Sequence, residues 1–239
     1  RQLPHLSREV PLILTLHDMW TLTGHCSHPL SCERWKHACG NCPRLDLPPA
    51  LPRDGTAENL SIKKKIYLNS RLNVATPSQW LMDQVDQSIL KSGITNARVI
   101  PNGIDQEVFR PGDKAEARRH LNLPQEAHIL LFLAAGNRTN PWKDYETLDS
   151  AVQMLSEKLK GQHLILLASG QLEKNKHYNN VSIRHIPWLD NKTELAYYYH
   201  ASDLYLHAAH AENFPNVILE SLSCGLPVIG TRPGGIPEQ

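Results

Sequence analysis

Short apolar runs alternate along the chain with longer amphipathic stretches, a rhythm that predicts parallel strands joined by helical crossovers. The fold class read from it is α/β. In the first half, Pro11 to Leu16, Leu72 to Ala75 and Ala97 to Ile100 are expected strands, and Pro77 to Lys91 is an expected helix entered near Ser78. In the second half, His128 to Ala135 reads as a central strand, followed by a polar turn and a helix from Tyr145 to Leu159. Further strands are expected at His163 to Ala168, Val181 to Ile186, Asp203 to His207 and Pro227 to Gly230. Pro215 marks the start of a helix from Asn216 to Cys224. The turn chemistry of Pro101-Asn102-Gly103-Ile104-Asp105 places a domain boundary there, giving domains at residues 1–104 and 105–239.

One segment breaks the rhythm. From Thr21 to Asp54 the chain is rich in Cys, Pro and His, as expected of a long functional loop inserted into the first domain. Elsewhere the composition is that of an ordinary globular chain, with 41% hydrophobic and 21% charged residues. A formal net charge of +1 leaves no broad field for nucleic acid or an anionic membrane, so partners must be read from local sites. No apolar run approaches the roughly 20 residues that span a bilayer. The chain opens at Arg1, meets an interior type of strand by Pro11, and stops at Ile236-Pro237-Glu238-Gln239 just after a glycine turn. Both domains are therefore expected to be partial.

Candidate chemistry concentrates in four places. Glu212-Asn213-Phe214-Pro215-Asn216-Val217-Ile218-Leu219-Glu220 is a loop entering a helix, with carboxylates eight positions apart that can line one crevice. The unpaired N–H groups of such a helix start attract phosphate, although acidic residues there also simply suit the helix dipole. Gly136 to Lys143 follows the central strand at the edge where open α/β sheets bind ligands, and its two cations, Arg138 and Lys143, can clamp a diphosphate or merely form a solvated basic loop. His17 ends the first strand, where a histidine serves either a ligand or the local structure. Cys26, Cys32, Cys39 and Cys42 lie beside His25, His28 and His37. Four thiols with one Cys-x2-Cys step can hold a structural Zn²⁺; two disulfides or unligated thiols are the other readings. Cys224 reads as a small buried apolar residue. Phosphate-loop, zinc-protease, nucleophile-elbow and Asp-x-Asp motifs are absent from the sequence, which favours a metal-free reaction with no cofactor.

Taken together, ENFPNVILE with its Glu-x7-Glu spacing, the following SLSCGLPVIGT and PGGIPE, and the boundary segment VIPNGID resemble the retaining glycosyltransferases of the GT-B type, in particular family 4. The segment GHCSHPLSCERWKHACGNCP is similar to an insert of bacterial relatives that build surface polysaccharides. The resemblance implies two Rossmann-like domains facing a cleft, the first on the acceptor side and the second holding a nucleotide-diphosphate sugar. It implies that Glu220 bonds the donor ribose, that Glu212 faces the transferred sugar, and that backbone N–H groups near Phe214, Asn216 and Val217 meet the sugar or diphosphate. Pro215 has no N–H to give. Arg138 and Lys143, in the loop opened by Gly136, would stabilise the leaving diphosphate; His17 would face sugar or acceptor, and Glu238 would contact the donor. The chain departs from many relatives in reading Gly136-Asn137 and Lys143-Asp144, where they carry Gly-Arg and Lys-Gly. The implied partners are a nucleotide-sugar donor and a saccharide or lipid-linked acceptor, with a cytoplasmic location at the inner face of a membrane. Two other readings fit the same residues: a non-catalytic homologue that binds nucleotide or partner, and a sugar-nucleotide epimerase or phosphorylase on the same fold.

Overall fold

A computed structural model describes residues 2–134, 140–159, 161–169 and 175–239. Its contacts divide the chain into two units, Arg1–Asn102 with Ala211–Phe214 and Arg232–Glu238, and Gly103–His210 with Pro215–Thr231 and Gln239. Among the described residues no helix is long and apolar enough to cross a membrane.

The first unit runs α1 (Leu3–Glu9), β1 (Leu12–Thr15), α2 (Thr56–Leu68), β2 (Leu72–Thr76), α3 (Gln79–Asp86) and β3 (Ile94–Val99). The strands form a parallel sheet in the order β1-β2-β3, with Leu12 opposite Leu72, Leu72 opposite Ile94 and a register shift after Leu72. Leu72 and Val74 of β2 pack with Leu81 and Val85 of α3, and Leu60 and Tyr67 of α2 join the same core. Ser78 caps α3, its Oγ accepting from the Leu81 N–H at 3.1 Å. The helix expected to reach Lys91 ends at Asp86 because Ser88 caps a separate 3₁₀ turn, Ile89–Gly93, through the Leu90 N–H. Strand β3 begins at Ile94, earlier than the polar Thr95-Asn96 pair suggested.

Within the Cys-rich segment the one helical turn among the described residues is Arg34–Lys36. The loop is nonetheless anchored. Trp35 is buried in the core, and Lys63 of α2 donates to the carbonyls of Trp20 and Thr23 while its Nζ sits 3.9 Å from the Trp20 ring centroid. Tyr67 donates to the Thr21 carbonyl at 2.9 Å.

The second unit runs α4 (Lys114–His120), β4 (His128–Phe132), α5 (Tyr145–Lys158), β5 (Leu164–Ser169), β6 (Lys176–Tyr178), β7 (Val181–Ile186), α6 (Lys192–Ala201), β8 (Leu204–His207), α7 (Asn216–Ser223) and β9 (Val228–Gly230). Its sheet has the order β6-β7-β5-β4-β8-β9, parallel throughout except for the β6–β7 pair. Ile129, Leu131 and Phe132 of β4 are fully buried, as a strand covered on both faces requires. Counted in chain order, the five parallel strands lie 3-2-1-4-5, the Rossmann arrangement, and the order reverses between β4 and β8. That reversal opens a crevice at the carboxyl ends of these two strands.

Helix α4 is tied to this sheet by an ion pair. Buried Arg118 donates to Asp203 Oδ2 at 2.9 Å, to the Ala201 carbonyl at 3.0 Å and to the Gln125 carbonyl. Asp203 also accepts from Lys114 Nζ and from the Ile129 N–H, both at 2.7 Å. Burial pushes its carboxyl up, but Lys114, the Ile129 amide and Arg118 together hold it below the usual carboxylate range. A depressed folded value means that this stabilisation is present above the unfolded carboxyl range and disappears as pH falls through the folded value. Arg118→Ala is expected to lower stability by about 3 kcal/mol in urea titration at neutral pH. Its deficit relative to the parent should narrow as Asp203 protonates, and a deficit independent of pH down to acid would count against the ion pair.

Candidate functional site

Three strand ends and two helices of the second unit enclose an apolar slot of about 130 Å³. Leu133 and Ala134 follow β4, Ser169 ends β5, and Pro187, Trp188 and Leu189 follow β7. Leu195 of α6 and Val217 in the first turn of α7 complete the lining. The strands here are parallel, so all three loops leave from the same edge of the sheet. Trp188 is 60% exposed, and its Nε1 donates to Asp190 Oδ1 at 2.7 Å, which holds the indole in place. Ser169 Oγ is committed to the backbone, accepting from the Ala134 N–H at 2.9 Å. A slot with apolar walls and a pinned indole suits a flat ring that stacks.

Glu220 lies one turn beyond Val217 on α7, and positions three apart share a helix face. Its Oε2 accepts from the Tyr199 hydroxyl at 2.7 Å. Burial raises the carboxyl above its ordinary range, against the lowering effect of that hydrogen bond and of Lys192. Tyr199 is itself held far above the ordinary tyrosine range by burial, and then by the charge of Glu220, so it remains a donor at any physiological pH. Asn216 occupies the first position of α7 after Pro215, whose missing N–H costs nothing at that place.

Lys143 stands at the crevice between β4 and β8. It makes an antiparallel bridge with Ala209, flanked by the Asp144 N–H to the Ala208 carbonyl at 3.2 Å and the His210 N–H to the Trp142 carbonyl at 2.9 Å. The loop after β4 is thus stitched to the loop after β8. Gly136 and Arg138, expected in the same loop, lie outside the described residues.

The other expected site residues group with the first unit. Asn213 is 4% exposed; its Nδ2 donates to the His17 carbonyl at 3.0 Å and its Oδ1 accepts from Ser78 Oγ at 2.7 Å. His17 is exposed at the carboxyl end of β1, and the Asn213 contact fixes its backbone beside residues 212–214. The Phe214 carbonyl accepts from Asn102 Nδ2 at 3.3 Å. Gly234, at φ +63°, packs so closely on the Glu212 carbonyl that a Cβ would lie 1.9 Å from it, and the Gly235 N–H donates to the Asn213 carbonyl at 2.7 Å. Glu238 spends both carboxylate oxygens on α3, accepting from the N–H groups of Gln79 at 2.7 Å and Trp80 at 2.8 Å.

Cys26, Cys32, Cys39 and Cys42 line one cavity of about 20 Å³ together with His25, whose Nε2 is 3.5 Å from Cys42 Sγ. All four thiols are free. Among the described residues no group of three or more His, Cys, Asp or Glu side chains is placed to hold a metal ion. Burial, reinforced by neighbouring Cys39 and Cys42 against a hydrogen bond with Thr23, pushes the Cys26 thiol up to about 11. Cys39 is raised mainly by burial as well. Cys224, at the end of α7, is buried and its thiol pushed up to about 11 by burial and by Glu220.

Sequence reasoning missed the slot residues Leu133, Ser169, Pro187, Trp188, Leu189 and Leu195, and it missed Tyr199. A tryptophan two positions past an expected strand ending at Ile186 was the available signal. The buried tie of Asn213 carried none beyond its place in the motif.

Comparison with known proteins fits this geometry. A family model described as Glycosyl transferases group 1 matches residues 113–239. The D-inositol 3-phosphate glycosyltransferase of Streptosporangium roseum is 28% identical over 245 residues, which cover 92% of this chain and 54% of that protein. The putative colanic acid biosynthesis glycosyl transferase WcaC of Escherichia coli is 26% identical over 228 residues, covering 94% and 52%. Among solved structures, sucrose-phosphate synthase from Thermosynechococcus elongatus superposes with a TM-score of 0.64 at 24% identity, over 94% of this chain and 51% of that one. The chain spans about half the length of the curated relatives it matches. The structural likeness shows an α/β fold of the GT-B kind.

Two outcomes test the geometry. Gly234→Ala is expected to cost more than about 2 kcal/mol, from the positive φ and the Glu212 contact, whereas Gly103→Ala, where a Cβ meets nothing within 4 Å, should leave the urea midpoint within error. Equal midpoints for the two variants would contradict the close approach. Alkylation at pH 7.5 should spare Cys26 in the folded protein and modify it after denaturation, as mass mapping of the peptides would show; ready labelling without denaturant would sink its protonated, sheltered state.

Proposed function

Because the chain belongs to the glycosyl transferases group 1 family, we propose that the protein moves a sugar from a nucleotide-diphosphate donor to a hydroxyl acceptor, with retention at the anomeric carbon, in polysaccharide or glycolipid synthesis. The observation that carries this reading is the apolar slot at the ends of β4, β5 and β7, with the Glu220 carboxylate one helical turn from its wall. In it the nucleobase stacks on Trp188 between Leu133 and Val217, and Glu220 accepts from the ribose hydroxyls. The diphosphate then meets the first N–H groups of α7 and the ammonium of Lys143. Arg138 and Gly136 keep the diphosphate-side roles that the family resemblance implies. Glu212 and His17 keep their roles toward sugar and acceptor.

The chemical problem is separation of charge. As the bond from the anomeric carbon to phosphate oxygen breaks, negative charge grows on the diphosphate and positive charge on the sugar ring. A fixed cation and oriented N–H groups stabilise the first at no reorganisation cost. The acceptor oxygen bonds the anomeric carbon on the face the leaving group vacates, and its proton passes to the departing phosphate. No carboxylate needs to become a nucleophile. A donor, an acceptor and the side chains already named supply every proton and charge in the step, so no cofactor is invoked.

The test uses the intact protein with UDP-, GDP- and ADP-sugars, product stereochemistry being read by NMR. Trp188→Ala should raise the Kd of the preferred nucleoside diphosphate at least about fivefold, the stacking of one base being worth about 1–3 kcal/mol. Lys143→Ala should lower kcat about a hundredfold or more while changing nucleoside binding little. Parental kcat in the lysine variant removes it from the site. Products of inverted configuration overturn the retaining mechanism.

A further inference from the structure

Tyr199 is among the largest side chains to be fully buried, and it is not one of the groups that the transfer step uses. Its ring is clamped in the second unit by the edge of Phe109, with centroids 5.9 Å apart and planes at 79°, and by Tyr205 at 6.2 Å. Its hydroxyl reaches Glu220 Oε2 at 2.7 Å and comes within 3.5 Å of the Val217 carbonyl. A phenol has one proton to give, and the shorter, charge-assisted contact is with the carboxylate. The hydroxyl therefore binds one oxygen of Glu220 from a buried ring packed against Phe109 and Tyr205.

A glutamate on a short helix has three rotatable bonds and would otherwise sample several rotamers. Fixing Oε2 selects one of them and directs the other oxygen. We propose that Tyr199 is a positioning residue for Glu220, orienting its carboxylate toward a ribose hydroxyl and so making the site choose ribonucleotide over 2′-deoxyribonucleotide donors. This rests on the reading of Glu220 as the ribose acceptor. Chemically it is selection through a half-buried, oriented polar group: a nucleotide lacking the hydroxyl leaves a carboxylate oxygen unpaired, the case in which a site rejects an analogue most strongly.

Among the described residues three titratable groups act on Glu220. From α6 they are the Tyr199 hydroxyl and Lys192, both of which favour the ionised carboxylate; from the end of its own helix it is the Cys224 thiol. Replacing Tyr199 by Phe removes the hydrogen bond while keeping the ring. The Glu220 carboxyl then rises further, and binding that needs the carboxylate is lost at a higher pH as the solution is acidified.

The experiment measures, in the intact protein, the Kd of the tightest of UDP, ADP and GDP and of its 2′-deoxy form, for the parent, Tyr199→Phe, Glu220→Ala and the double variant. The parent should prefer the ribonucleotide about tenfold or more, the range of one hydrogen bond to a charged group. Tyr199→Phe should shrink that preference to about threefold or less, with 2′-deoxy binding unchanged within about twofold, and should shift the acid limb of ribonucleotide binding upward. The double variant should show no further loss beyond Glu220→Ala. Full preference in Tyr199→Phe, alongside a lost preference in Glu220→Ala, overturns the positioning role and leaves the ribose reading standing. An unchanged preference in Glu220→Ala overturns the ribose reading itself, and Tyr199 with it. Equal weakening of both nucleotides in Tyr199→Phe, with the acid limb unmoved, makes the tyrosine a packing residue only and also overturns the proposal.

Discussion

A strand that pairs in parallel on both sides must be entered at one end of the sheet and left at the other, and β4 imposes this on the second unit. Its neighbours β5 and β8 both run with it, so the chain joins these parallel strands by crossovers, the β6–β7 hairpin apart. The carboxyl ends of β4, β5, β7 and β8 therefore lie along one edge of the sheet without any residue being selected to put them there. What distinguishes the gap between β4 and β8 is that the connections diverge, so no crossover fills it. The loop holding Lys143 and the loop before α7 meet in that gap, held by backbone bonds from residues 142–144 to residues 208–210. Geometry of this kind survives changes in side chains, because the stitching is made of amides and carbonyls.

How much of this could be read from the chain depends on where the information resides. Strands β4 and β5 were legible because burial on both faces demands continuous apolar runs, β7 because Val181 and Ile183 alternate with Ser182 and Arg184, and α7 because proline marks its start. Helix α6 was missed: three consecutive tyrosines at 197–199 blur its apolar face, and its signal lies at the start, where Asn191 accepts from the N–H groups of Thr193 and Glu194. Helix α4 carried a similar mark, Asp113 capping Glu116 three residues on. Helix α2 had neither a clear apolar stripe nor a side-chain cap of its own, since Gly55 occupies that position. Strand β6 is a three-residue edge, too short to show a period.

Site residues divide in the same way. Charged groups at recognisable spacing, Lys143 and Glu220, were legible because their chemistry is written in their type. The walls of the slot were not, because Leu133, Pro187 and Leu195 differ in no local respect from residues of any core; only the fold assembles them. Asn213 and Gly234 show a third case. The asparagine, between the two glutamates, spends both ends of its amide on His17 and Ser78, and the glycine, in the turn after β9, is small because the Glu212 carbonyl occupies the space of a Cβ. Part of what makes this motif recognisable is therefore the backbone packing around Glu212.

Glu220 shows why such support has to extend one layer further. A carboxylate placed against an apolar wall is pushed toward its neutral form, in which it would both donate and accept and so lose its preference for hydroxyl donors. Lys192 offsets this only through its charge, at a distance and in any geometry. A phenol hydroxyl offsets it directionally, stabilising the ionised form while occupying one oxygen and leaving the carboxylate acceptor-only. The tyrosine suits this task because its own ionisation is suppressed by the same burial that threatens the glutamate. One buried environment thus acts on the two groups in opposite ways: it locks the phenol as a donor and makes the carboxylate dependent on that donor.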